Sequence, residues 1–177
     1  MRIKSSLAAL SLAAVACSGK AVAGQLNDGQ ILGIYIQVNG FDIETALLGS
    51  AQGTSNDVRD LAHHVAADHS GVRQAAYTLA EKCRVTPTLP PERNAAAVDH
   101  IKALAKLQGL TAADFDKAYV QHEVAFHRAA IEAVKIALLP STQCAELRAH
   151  FTQVLPAFEH HLQQTEALAA KVGSAAK

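Results

Sequence analysis

From Gln30 onward, apolar residues recur three and four positions apart through most of the chain, and few stretches alternate as a strand would. That period predicts helices. The first spans about 27–51, with Asn27 or Asp28 at its cap and Gly53 just past its end. A second, over about 55–83, opens at Thr54 or Ser55 and carries Asp57 in its first turn, where the helix dipole favours an acid. Thr86 to Pro91 breaks the pattern, and Pro91 suits the entry to a short helix over about 92–107 that stops at Gly109. Thr111 and Asp114 resemble a capping box with the shorter acid and open a long helix to about 138, where Pro140 ends it. The last long helix starts near Ser141 or Thr142 and runs to Gly173, with a kink expected at Pro156.

Four long helices of comparable length, roughly 38–45 Å at 1.5 Å per residue, predict a four-helix bundle. The stretch 84–110, with its own short helix, is either a detour at one end or a crossover along the bundle. The cysteines favour the crossover. Cys83 ends the second helix and Cys144 begins the last. In an up-down-up-down bundle these points lie at opposite ends, far beyond the roughly 7 Å a disulfide spans. With a long crossover, as in ferritin-like folds, both reach the same end, and a bridge closing about 60 residues stabilises by roughly 4 kcal/mol.

Three apolar seams are each interrupted by one histidine. On the second helix the seam is Val58, Ala62, Val65, His69, Val72, Ala76 and Leu79. On the third long helix it is Val120, Val124, His127, Ile131, Val134 and Leu138, and on the last Leu147, Phe151, Val154, Phe158, His161, Thr165 and Leu168. Such seams face the core, so the three imidazoles should point inward, where an unpartnered ring is costly. On the first helix the matching position is Asp42, in the series Ile31, Tyr35, Val38, Asp42, with Glu44 as the alternative. One carboxylate and three neutral imidazoles suit zinc, copper, iron or nickel. Asp68 and Glu159 are the expected acceptors for ring N–H groups. At the standard rise His69 and His127 lie about 21–23 Å from a shared end, His161 nearer 16 Å and Asp42 nearer 14 Å, so the first two are the pair expected to be level. His63, His64, His100, His122, His150 and His160 are expected to be mainly exposed, although a second stripe of Phe115, Tyr119, His122 and Phe126 would draw His122 toward the core.

Composition narrows the setting. Arg2 and Lys4, the apolar run Ser5–Ala16 and the small-residue site Ala21-Val22-Ala23 read as an export signal over 1–23, leaving one domain over 24–177. A second reading makes Ala14-Val15-Ala16-Cys17 a lipid-attachment site on Cys17. Removing the signal lowers Lys+Arg from 16 to 13 against 16 acids, with no basic run, which gives no footprint for nucleic acid. No later apolar stretch is long enough for a membrane span. After cleavage only Cys83 and Cys144 remain, an even count that suits a disulfide in the periplasm or envelope. Apolar residues on more than one stripe would also suit a homodimer. Glu-x-x-His pairs of the di-iron kind, a phosphate loop and a Gly-x-Ser-x-Gly elbow are absent, so no conventional enzyme is indicated.

Four segments carry a resemblance: Asn39–Glu44 (NGFDIE), Val58–His69 (VRDLAHHVAADH), Phe115–His127 (FDKAYVQHEVAFH) and Leu155–Leu162 (LPAFEHHL). Together they resemble the helix signatures of the bacterial exported family called domain of unknown function 4142, placed among ferritin-like folds. The resemblance implies the crossover bundle and an envelope location. By position, the family's histidines fall on His69, His127 and His161, and its usual Glu is replaced here by Asp42. The expected function is to hold one transition-metal ion in the core for metal handling or redox protection. A structural or interaction module with internally bonded histidines is the alternative.

Overall fold

The computed structural model describes residues 26–175; the expected export signal, its cleavage site and Cys17 lie outside them. The elements are α1 (Asp28–Gln52), α2 (Asn56–Cys83), α3 (Arg93–Gln108), α4 (Ala112–Ala133), a π-helical turn (Val134–Leu138), α5 (Leu139–Ser141) and α6 (Ala145–Ala175). Asn27 and Gln30 form a reciprocal capping box at the start of α1, and the Ser55 hydroxyl accepts from the Val58 N–H at the start of α2. The box expected at Thr111 does not form: its side chain makes no cap bond, and Ala112 adopts φ 51°.

Pro140 does not stop its helix as expected. The chain widens into the π turn, Leu139 N–H bonds back to the Val134 carbonyl, and the proline follows inside α5. A wider turn relieves the clash between a proline ring and the carbonyl four residues earlier. Pro156 is carried within the continuous helix α6.

Contacts at the helix ends fix the topology. At one end, both oxygens of Asp28 accept 2.8 Å bonds from the N–H groups of Gln143 and Cys144, and Cys83 is bridged to Cys144 across a Cα separation of 5.7 Å. At the other end, Asp116 of α4 receives Thr54 N–H at 2.8 Å, Thr54 O–H at 2.7 Å and Ser55 N–H at 2.9 Å, while Lys171 of α6 pairs with Asp57. So α2 and α4 run parallel, and α3 is the crossover that joins them. The expected long connection and its disulfide are both present.

The crossover lies along α1. Thr88 N–H bonds to Gly29 O at 3.0 Å, and a Cβ on Gly33 would come within 2.0 Å of the Thr88 carbonyl oxygen, so the chain can pass only over a glycine. Farther along, Arg93 Nε donates to Gln37 Oε1 at 2.8 Å and His100 meets Glu44, two contacts with the same sequence offset, as parallel helices require. Among the described residues no helix is long and apolar enough to cross a membrane.

The apolar core is divided. Toward the disulfide end, Ile31, Leu32, Tyr35, Leu79, Leu147 and Phe151 form one cluster. Toward the Asp116 end, Val58, Val65, Phe115, Tyr119 and Val120 form the other. Between them lies a polar waist.

Candidate metal centre

Each long helix sends at least one polar side chain into the waist. Asp42 comes from α1, His69 from α2, Glu123 and His127 from α4, and His161 from α6, and all five are buried. A ring nitrogen of each of His69, His127 and His161 lies within 4.8 Å of the other two, and oxygens of Asp42 and Glu123 make a second group of that span with His127. Asp42 Oδ2 is 3.0 Å from His69 Nε2 and 3.5 Å from His127 Nε2. The ring centroids of His127 and His161 are 5.1 Å apart. His161 and Asp42, expected nearer one end, thus join the level pair His69 and His127.

The ring partners set the tautomers. His69 Nδ1 sits 2.8 Å from Asn39 Oδ1, and the Asn39 amide is itself oriented by donating to the Tyr35 carbonyl at 2.7 Å. His127 Nδ1 lies 2.9 Å from the Glu123 carbonyl. An oxygen can only accept here, so Nδ1 of each ring carries the hydrogen and Nε2 presents its lone pair to the waist. Those lone pairs face Asp42, while Glu123 Oε2 lies 3.8 Å from His127 Nδ1. His69 Nε2, His127 Nε2 and all four carboxylate oxygens are buried without a hydrogen-bond partner.

Burial favours the neutral, ligating form of two of the imidazoles. It lowers His69 and takes His161 down to about 4, the nearby His127 and His69 adding to the effect on His161. Burial, and then the facing Asp42 carboxylate, raise Glu123 well above the usual range. Tyr119 is raised well above its ordinary value by burial and then by Glu123 and Asp42, and its hydroxyl is buried unpartnered. A Cβ on Gly49 would come 2.6 Å from the Tyr119 ring, so a residue without a side chain is what admits it.

Four of the five expected ligands therefore meet. Glu44 does not: it is exposed on α1 and sits 2.8 Å from His100. His100 was expected outside, yet its ring is buried and stacked on Phe41 at 4.2 Å. His122 and His150 are half-buried, the latter beside the Tyr35 hydroxyl at 3.1 Å. The expected acceptors Asp68 and Glu159 serve no ring: Asp68 is exposed and Glu159 pairs with Lys135. Asn39 and the Glu123 carbonyl take that role.

Glu123 is the residue the sequence reading missed. Its signal was a Glu-x-x-x-His spacing on α4, one residue longer than the di-iron pattern, along the seam Val120, Glu123, His127. A cavity of about 70 Å³ adjoins the group on the disulfide side, lined by Asn39, Asp42, His69 and His127 with apolar neighbours including Tyr35 and Phe158.

The model of the family described as Domain of unknown function (DUF4142) matches residues 13–168, which include the whole waist. The chain belongs to this family. No significant match is found among curated proteins. None is found among solved structures. In this DUF4142 chain, the waist is the feature that bears on function.

Proposed function

We propose that this DUF4142 protein holds one divalent transition-metal ion in its waist, through His69, His127, His161, Asp42 and Glu123, and serves metal handling or redox protection in the cell envelope. One observation carries the reading: acceptors face acceptors. The lone pairs on His69 Nε2 and His127 Nε2 oppose carboxylate oxygens in a buried layer, an arrangement that repels unless a cation or proton lies between. Donors sharing one dication at about 2.0–2.1 Å would lie roughly 3–3.5 Å apart, which is the range of the 3.0 and 3.5 Å separations from Asp42.

Charge selects the ion. Two carboxylates and three neutral imidazoles are neutralised by one divalent cation, whereas a second would leave a net positive charge in the core. The mixed nitrogen and oxygen set suits zinc, iron or divalent copper rather than a hard cation. When bound, the ion supplies Lewis acidity and, if iron or copper, one-electron chemistry. The protein holds the donors in place, through Asn39 on His69 and the Glu123 carbonyl on His127, and excludes water with the two apolar clusters. The Cys83–Cys144 bridge and the expected export signal support an oxidising location.

A second reading has the cavity of about 70 Å³ hold water that satisfies the waist, in a structural or interaction module of the envelope. Elemental mass spectrometry on the mature protein, with melting curves in copper, zinc and iron, separates the two. A stoichiometric metal and a metal-dependent rise in melting temperature, both lost in the His69→Ala, His127→Ala double variant, are expected. No metal and no shift would leave the water-filled module.

A further inference from the structure

The seam between α1 and α4 is thinly sealed. α1 packs along α2 and α4 along α6, whereas α1 and α4 meet only briefly, and the crossover helix α3 lies over the gap between them. α3 is a light cover, burying just His100 and Leu107. Beneath it stand three side chains that the waist does not use.

The outermost is Glu44, whose side chain is 59% exposed and whose Oε2 lies 2.8 Å from His100 Nε2. His100 is buried beneath α3, flat against Phe41. Packing alone does not account for an imidazole there, because a phenyl ring would stack on Phe41 as well and need no partner. The third is His122, half-buried as a residue, whose Nε2 is buried with no hydrogen-bond partner. It lies on α4 one residue before Glu123, and its ring feels the charges of Asp42, His100 and His127. A buried, unsatisfied imidazole nitrogen costs stability, and nothing in the apolar clusters is gained by it.

We propose that Glu44, His100 and His122 form the path by which a divalent transition-metal ion passes from solvent, beneath α3, to Asp42, Glu123 and His127. The proposal rests on the metal centre argued above. A hydrated dication cannot cross an apolar seam without exchanging its water for other donors, since stripping it bare is prohibitive. Glu44 offers charge at the mouth, and the two imidazoles offer nitrogen donors in succession. Each holds the ion by fewer ligands than the waist does, so the ion moves inward.

Such a path alters rates and leaves the end state alone. Uptake of cobalt(II) by the purified mature protein, followed by its visible absorption in a stopped-flow instrument, and removal by a chelator are the measurements. His122→Leu is expected to slow uptake and removal by the same factor, about tenfold or more, with stoichiometry and Kd unchanged. Glu44→Gln, at an exposed position that does not threaten folding, is expected to slow uptake about threefold at low ionic strength and not at high. Rates equal to or faster than wild type in both variants would overturn the path while leaving the centre intact. A wild-type protein that takes up no cobalt(II) would overturn the centre itself, and the path with it. Should His122→Leu fail to fold, the Glu44→Gln rates decide the matter alone.

Discussion

In the halves of the bundle that flank the waist, the buried groups are matched. Leu32, Phe151, Val58 and Phe115 are wholly enclosed by other apolar residues, and the polar atoms at the helix ends are met by Asp28 and Asp116. In the waist the reverse holds. Asp42 and Glu123 are as deeply buried as those core residues, and neither has a hydrogen-bond partner for either oxygen. A fold that satisfies the carboxylates closing its ends, and leaves the two at its centre bare, departs from the general rule at one layer. Unsatisfied buried groups of that kind are rare and mark candidate functional layers.

The comparison can be strained first at the disulfide end. Replacing both Cys83 and Cys144 by serine releases a loop closed by residues 61 apart, and should lower unfolding free energy by about 4 kcal/mol in urea titration. A loss confined to the melting of α6 would show instead that the halves fold separately.

At the opposite end, Asp116→Ala removes an ionised acceptor of three hydrogen bonds and should cost about 3 kcal/mol. Burial by itself would raise the Asp116 carboxyl, but the bonds from Thr54 and Ser55 outweigh it and hold the group below its ordinary 3.8. A depressed folded pKa means that this stability is fully present above the unfolded value and is lost as pH falls through the folded one. The gap in urea midpoint between wild type and variant should therefore be widest near neutrality and shrink below about pH 4. A gap that stays constant with pH would assign the effect to packing.

The waist should answer with the opposite sign. Glu123→Gln keeps the shape and removes a carboxyl that burial and Asp42 oppose, so the metal-free protein should gain about 1–2 kcal/mol. The same variant should lose the metal-dependent rise in melting temperature. A metal-free protein made less stable by Glu123→Gln would mean that the waist is satisfied in ordinary fashion, and the contrast between the regions would disappear.

How far these regions were legible in the sequence follows the same division. Helical period located all four long helices, because burying an apolar stripe leaves its spacing in the chain, and the positions of Cys83 and Cys144 selected the crossover. Histidines on those stripes are conspicuous, and so His69, His127 and His161 were found with Asp42. Glu123 was not. The seam on α4 can be traced through Val124 or through Glu123, and an acid reads as surface, whereas the structure encloses Glu123 fully and leaves Val124 half-buried. His100 was missed for a related reason: α3 buries too few residues to show a stripe. Glu44 was misplaced because two positions along a helix turn a side chain by about 200°, outward instead of toward Asp42. The π turn before Pro140 left only the proline as a sign.

The waist is also assembled from residues scattered across the length of the chain, from Asp42 near its start to His161 close to its end. Contacts so remote in sequence form late, after the local turns of helix and the two hairpins α1–α2 and α4–α6 have closed. Until the two hairpins dock, Asp42 and His69 sit on one and Glu123, His127 and His161 on the other. A chain cut short before His161, or docked out of register by one helical turn, would therefore leave this polar layer incomplete.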